Sequence, residues 1–140
     1  MKITQLSIFF ENKPGRVIAP FRCLTEAGIN IRALSLAEAQ QYGILRMIVS
    51  DAARAAALLE QAGFAVKSSE VLAIEVPDTP GGMAGVLEAL EGSAVNIEYM
   101  YAFPFARGEK AVVIVCFSDP DAAIRHLQAA GVGLVGRSEL

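Results

Sequence analysis

The segment Ile8-Phe-Phe-Glu-Asn12-Lys-Pro14-Gly15 occurs a second time as Ile74-Glu-Val-Pro-Asp78-Thr-Pro80-Gly81, at an offset of about 66 residues. The same offset places Asn30-Ile31 over Asn96-Ile97 without a gap. An accidental match would not keep one register across a strand, a loop, a helix and a second strand. The chain is therefore predicted to contain two copies of one small module, and any binding site should exist in two versions.

A chain of 140 residues usually forms one domain, but the repeat divides this one into residues 1–69 and 70–140. Units of this size bury only about 60% of the surface that their unfolded chains expose. We therefore expect each module to depend on the other for part of its stability.

Composition excludes several classes of protein. The chain is 54% hydrophobic, yet no run approaches the ~18–20 apolar residues of a membrane span, and the N-terminus turns polar too soon for a signal peptide. The net charge is −3 and the twelve basic residues are scattered, which argues against nucleic-acid binding. Cys23 and Cys116 occupy non-equivalent positions in apolar runs, which favours buried free thiols in the cytoplasm over a disulfide or metal site.

Each copy is predicted to run strand, helix, strand, strand, helix, short strand. This βαββαβ order indicates an α+β fold of two ferredoxin-like modules, each an antiparallel sheet with both helices on one face. Ser50 or Asp51 can cap the second helix, and Asp119 precedes the fourth. In the second copy, Thr79 is expected to cap a helix that has Pro80 at its first position.

The strand Ala111–Phe117 is apolar on both faces, unlike a strand with one solvated face. We expect the sister copy or another chain to cover its outer face at Ile114 and Cys116. The second strands carry few charges that would block edge pairing, apart from Arg32 and Glu98. These features predict a homodimer or a partner bound through the sheet.

The strand-to-helix turns, at residues 12–17 and 78–83, are the first candidate site. A helix start presents unpaired N–H groups that suit a carboxylate or phosphate, and glycine allows close approach to the backbone. On this basis Gly81→Val should weaken ligand binding more than folding. The alternative is that Pro-Gly only makes the turn.

A strand followed by Asp/Asn-x-Pro-Gly, an apolar helix and Gly-x-Asn-Ile resembles the pattern of ACT domains. Here it reads Asn12-Lys-Pro14-Gly15 with Gly28-Ile-Asn30-Ile31, and Asp78-Thr-Pro80-Gly81 with Ala94-Val-Asn96-Ile97. The resemblance covers nearly the whole chain, which looks like a stand-alone tandem pair. It implies sensing of an amino acid or related small ligand where two modules meet, often with their sheets side by side.

By this resemblance, the turn of each copy would face the second-strand entry of the other copy. The implied ligand-binding residues are Asn12, Pro14, Gly15 and Arg16 with Asn96 and Ile97, and Asp78, Pro80, Gly81 and Gly82 with Asn30 and Ile31.

Two departures from the family pattern make the two sites unequal. Asn12 stands where Asp is commoner, and Ala94 replaces the glycine that corresponds to Gly28. Tyr99, Tyr101 and Phe103 are predicted to share one strand face, either as packing residues or as an aromatic pocket wall that favours an apolar ligand.

Catalysis is not expected. The one histidine, His126, aligns with Leu58, and the chain has no Ser-His-Asp order and no phosphate loop. We expect no cofactor and no metal. The leading hypothesis is a ligand-binding regulator that acts on a separate enzyme or partner. The alternative is a structural or interaction module with vestigial sites, and an RNA-binding sheet is disfavoured by the acidic balance.

Overall fold

The computed structural model describes residues 1–140, which form two units. One unit is Thr4–Ser69, and the other is Glu70–Leu140 together with Met1–Ile3. The N-terminal residues join the second unit through Lys2, whose Nζ lies 3.3 Å from a carboxylate oxygen of Glu70 and 3.1 Å from one of Asp121.

The first unit is an antiparallel sheet covered on one face by two helices. The elements are β1 (Ile3–Glu11), α1 (Ile18–Glu26), β2 (Ile31–Ala39), β3 (Tyr42–Val49), α2 (Ala52–Gln61) and the start of β4 (Ala65–Pro77). The sheet order is β2-β3-β1, with Leu6 opposite Met47 and Ile8 opposite Leu45. Side chains along β1 and β3 point alternately to the two faces of the sheet, so every second one lies in the same core.

The second unit repeats this plan. The elements that follow β4 are α3 (Gly82–Glu88), β5 (Ile97–Ala102), β6 (Lys110–Phe117), α4 (Pro120–Ala129), β7 (Leu134–Val135) and a 3-10 turn (Arg137–Glu139). Its four strands have the order β7-β4-β6-β5. The core contains fully or almost fully buried side chains, among them Leu72, Ile74, Val115 and Leu127. This architecture confirms the predicted α+β class and the ferredoxin-like module.

The recurring aspartates cap helices in both units. The Asp51 Oδ1 accepts a hydrogen bond from the Arg54 N–H at 3.2 Å, and the Asp119 Oδ1 accepts one from the Ala122 N–H at 3.1 Å. The cap of α2 is therefore Asp51 and not Ser50. Each bond satisfies one of the free N–H groups that begin a helix.

The outer face of β6 does not leave the apolar surface that the sequence suggested. Within the single chain, Ile114 is 0% exposed and Cys116 is 8% exposed. These side chains are covered within one chain, so this strand does not itself require a homodimer. β2 lies at one edge of the first unit's sheet, and β5 lies at one edge of the second unit's sheet. No helix has both the length and the apolar character needed to cross a membrane.

Candidate functional site

The first Pro-Gly motif forms a β-turn ahead of α1. The carbonyl of Lys13 accepts a hydrogen bond from the Arg16 N–H at 3.2 Å, and Gly15 has φ +81°. Proline at the second position and a positive φ at the third define a type II turn. The helix begins only at Ile18, so the turn stands outside it.

The second motif forms the same turn. The Thr79 carbonyl accepts from the Gly82 N–H at 3.0 Å, and Gly81 has φ +81° and ψ −2°. The expectations that Thr79 caps α3 and that Pro80 is its first residue are therefore wrong. The helix begins at Gly82, with the left-handed Gly81 before it. Proline is used here for its fixed φ within the turn.

The two turns differ in the residue that closes them. A Cβ on residue 82 would lie 2.0 Å from the Pro77 carbonyl oxygen, so only glycine fits there. The first module has Arg16 at the matching position, and its side chain is exposed. A Cβ on Gly15 or on Gly81 would meet no atom within 4 Å. The glycines at the third turn position therefore border open space.

The predicted residues of the second-strand entry have structural partners within their own modules. Ile31 and Ile97 are half-buried and pack against the cores of their units. Asn30 and Asn96 are exposed. Their backbone N–H groups bond to serine hydroxyls, at 3.0 Å to Ser50 and 2.9 Å to Ser118.

The polar residues ahead of the turns are exposed. The Asn12 N–H donates to the Gln41 carbonyl at 2.9 Å, and the Asp78 N–H donates to the Glu109 carbonyl at 3.3 Å. Beside Asn12, the Lys13 ammonium lies 2.9 Å from Glu11. This hydrogen bond and charge lower the pKa of Glu11.

A cleft of about 380 Å³ lies within the second module, beside its turn. It brings the predicted residues Pro80, Gly81 and Gly82 together, but neither Asp78 nor Asn96 borders it. The lining residues are Glu75, Pro77, Thr79, Pro80, Gly81, Gly82, Gly85, Val86, Lys110, Gly131, Val132 and Gly133.

The charged groups of this cleft are Glu75 and Lys110, whose Oε2 and Nζ atoms lie 3.4 Å apart. The sequence alone did not lead us to expect either residue in a binding site. The feature that could have pointed to them is a difference between the two copies, because Glu75 and Lys110 align with the aromatic residues Phe9 and Tyr42.

A second ion pair lies next to this cleft. The Arg107 Nη1 is 2.7 Å from an oxygen of Glu139, and Arg107, Glu75 and Lys110 line an adjoining surface depression. The hydrogen bond that Arg107 donates to Glu139 raises the pKa of Arg107. The same bond, with one from the Gly136 N–H, lowers the pKa of Glu139. The hairpin loop before β6 is thereby tied to the C-terminal turn.

The remaining candidates lie elsewhere. Tyr99 and Tyr101 are half-buried and stand opposite Cys116 and Ile114 in the register of β5 and β6, on the sheet face away from the core of their unit. Neither borders the cleft. His126 is exposed on α4.

The cleft therefore offers one carboxylate, one ammonium group and a rim of exposed backbone. Such a set can hold a small polar molecule through charge-assisted hydrogen bonds. No group of three or more His, Cys, Asp or Glu side chains is arranged to hold a metal ion.

The chain is similar to several solved structures. Protein BT0572 from Bacteroides thetaiotaomicron is 41% identical over 99% of this chain and 95% of its own, with a TM-score of 0.91. No curated protein matches the chain.

More distant structures share the fold. The ligand-free regulatory subunit of aspartate kinase from Thermus thermophilus has a TM-score of 0.65 at 20% identity, over 91% of each chain. The corresponding subunit from Thermus flavus has a TM-score of 0.60 at 19% identity, over 91% of this chain and 92% of its own. The family model described as an ACT domain pair matches residues 1–135. The chain belongs to the ACT domain family, as a tandem pair of ACT domains.

Proposed function

We propose that this protein is a regulatory protein that binds an amino acid or a related small molecule and acts on a separate enzyme or partner. The observation that carries the proposal is the ACT domain pair over residues 1–135. The regulatory subunits of aspartate kinase have the same fold, which supports a role in controlling an enzyme. The partner would respond to whether a ligand is bound to the two ACT domains, and the protein itself would perform no catalysis.

The proposed ligand-binding residues surround the two type II turns and the second-strand entries. The turns support this role because their left-handed glycines border open space, so a ligand can reach the backbone. The pairing of each turn with the second strand of the other module stays a prediction. The set is Asn12, Pro14, Gly15, Arg16, Asn30, Ile31, Asp78, Pro80, Gly81, Gly82, Asn96 and Ile97.

The test is thermal unfolding of the protein with each of the twenty L-amino acids. A ligand at ~100 times its dissociation constant should stabilise the fold by ~2.7 kcal/mol. Asp78→Asn removes one charge at an exposed turn residue and should reduce this stabilisation, whereas Glu91→Gln, at an exposed site outside the set, should not. If no amino acid raises the melting temperature, the alternative of an interaction module with vestigial sites is favoured.

We also propose that the protein forms a homodimer through β2. This edge strand presents Leu34 and Leu36, which are 47% and 55% exposed, and unpaired apolar edges invite pairing with another chain. Sedimentation at micromolar concentration tests this. Leu36→Lys should give a monomer, and Ala102→Lys, at the matching position of β5, should leave the dimer intact.

The cytoplasm is the proposed location. Cys23 is half-buried and Cys116 is buried, and both are free thiols. Disulfides are rare where thiols are kept reduced, so free cysteines fit a cytoplasmic protein.

A further inference from the structure

We propose that the cleft of the second module holds the ammonium and carboxylate groups of an amino acid between Glu75 and Lys110, and that the first module has no equivalent charged site. This inference rests on the proposed function, since it concerns where and how an amino acid binds. It adds a site within one module to the residues implied by the family pattern.

The backbone of Glu75 is fixed within the sheet, and its carboxylate lies against Gly133. The Glu75 N–H donates to the Gly133 carbonyl at 2.9 Å, and the residue pairs with Val112 in the ladder between β4 and β6. A Cβ on Gly133 would lie 3.0 Å from Oε2, so the absence of a side chain there makes room for the carboxylate. The side chain of Glu75 is 23% exposed, whereas that of Lys110 is 51% exposed. The cleft therefore contains a largely buried acceptor and a more exposed cation.

The ion pair between these two groups leaves them available to a ligand. Their separation of 3.4 Å is long for a charge-assisted hydrogen bond, and exposed ion pairs contribute little to stability. A zwitterion can enter with its ammonium group on Glu75 and its carboxylate on Lys110, so that two charge-assisted contacts replace one. The cleft carries one charge of each sign, which favours a zwitterion over a ligand with a net charge.

The size of the cleft suits a small molecule. Its volume of about 380 Å³ lies at the lower end of the ~300–1,000 Å³ usual for ligand pockets. Val86 and Val132 give it an apolar part: Val86 is buried and Val132 is half-buried. An amino acid with a short apolar side chain fits these surroundings.

The first module lacks the charges at the same place in its sheet. Tyr42 stands opposite Glu11 at the strand ends, as Lys110 stands opposite Pro77 in the second module. Tyr42 therefore takes the place of Lys110, and Phe9 takes the place of Glu75. Phe9 is 37% exposed and Tyr42 is 59% exposed. An aromatic pair offers neither an acceptor carboxylate nor an ammonium group. The nearby carboxylate of Glu11 is exposed and lies 2.9 Å from the Lys13 ammonium, a closer pair than the one in the cleft, so we infer one such site per chain.

The test uses variants that change the cleft without straining the backbone. Gly85 lies within α3 and lines the cleft, and a Cβ there would meet no atom within 4 Å. Leucine and alanine both favour helices more than glycine does. Gly85→Leu therefore fills cleft space in a folded protein, and Glu91→Gln, at an exposed residue that does not line the cleft, is the control. Glu75→Gln and Lys110→Met each remove one charge.

Calorimetric titration of the full chain with the twenty L-amino acids should show binding of at least one of them, with one event per chain that belongs to this cleft. We expect Gly85→Leu, Glu75→Gln and Lys110→Met each to weaken the affinity of that event at least tenfold, and Glu91→Gln to change it less than twofold. Propionate and ethylamine, which carry one charge each, should bind at least tenfold more weakly than alanine. Thermal unfolding of each variant confirms that it is folded.

Three results would overturn the inference. If an amino acid binds the wild type and all three variants equally, the proposed function stands and this site is wrong. If Lys110→Met weakens binding and Glu75→Gln does not, the cleft is a carboxylate site and not a zwitterion site. If no amino acid binds the wild type, the proposed function fails and the inference fails with it.

Discussion

Ser118 and Asn96 are joined by two hydrogen bonds. The Asn96 N–H donates to the Ser118 hydroxyl at 2.9 Å, and the Ser118 N–H donates to the Asn96 carbonyl at 2.9 Å. Ser50 and Asn30 make the same pair in the first module, at 3.0 and 2.9 Å. These recurring residues thus fix the entry of the second strand to the end of the third, while the Asn residues themselves are exposed.

Ser118→Ala should lower the free energy of unfolding by about 1 kcal/mol, because the Asn96 N–H loses its partner at a site open to water. Ser50→Ala should have the same effect, and Ser118→Thr, which keeps the hydroxyl, should have a smaller one. Urea unfolding gives these values. If both alanine variants unfold at the same urea concentration as the wild type, water replaces the hydroxyl without loss of stability.

Alanine should have opposite effects at two glycines of the second module. Gly81 has φ +81°, where a side chain costs about 1–2 kcal/mol, so Gly81→Ala should destabilise the protein by about that amount. Gly85 lies inside α3, so Gly85→Ala should stabilise it by about 1 kcal/mol. Equilibrium unfolding in urea tests both, and changes of the same sign would contradict the assigned backbone conformations.

The same geometry changes the interpretation of Gly81→Val. The sequence predicted that this substitution would weaken ligand binding more than folding. The positive φ of Gly81 means that a β-branched residue is strained in the folded state whether or not a ligand is present. Gly85→Leu is the better probe of the cleft, because its backbone is helical.

Most of the fold could be predicted because it repeats. Each strand and helix had a counterpart 66 residues further along the chain, or 68 residues after the longer hairpin loop of the second copy, so a weak pattern in one copy was supported by the other. The short strand β7 and the start of α3 were less predictable. Pro80 fits the first position of a helix and the second position of a type II turn equally well, and only the φ of Gly81 distinguishes them.

The cleft could not be predicted from the repeat, because the repeat directs attention to what the copies share. Glu75 and Lys110 differ from their counterparts, and they meet only because two strands pair in a particular register. The sequence predicted cover over Ile114 and Cys116 but left open whether the same chain or another provides it, for a related reason. Burial depends on tertiary packing, which the pattern of a single strand does not contain.

His126→Leu should leave ligand binding unchanged. His126 is exposed in the last turn of α4, and the first module already has leucine at this position. A substitution at this exposed position should change the free energy of unfolding by no more than about 0.5 kcal/mol. The neighbouring Leu127 is 0% exposed, and Leu127→Ala should cost about 2–5 kcal/mol. Calorimetry and urea unfolding measure both effects, and a change in affinity for His126→Leu would implicate this histidine in function.

Acid should release the C-terminal turn from the hairpin loop. The hydrogen bond from Arg107 lowers the pKa of Glu139, and a lowered pKa in the folded state means that the pair stabilises the fold above the ordinary pKa of a glutamate. That contribution is lost as the pH falls through the lowered pKa, while Arg107 keeps its charge.

Arg107→Gln should raise the pKa of Glu139 toward its ordinary value, though not fully, because the Gly136 N–H still donates to this carboxylate. Titration of the glutamate side chains by NMR measures this shift. Glu11 is the internal control, since its lowered pKa comes from Lys13 and should not change in the variant. An unchanged pKa for Glu139 would mean that the ion pair does not form in solution. The loop beside Glu75 and Lys110 would then have no ionic tie to the C-terminal turn.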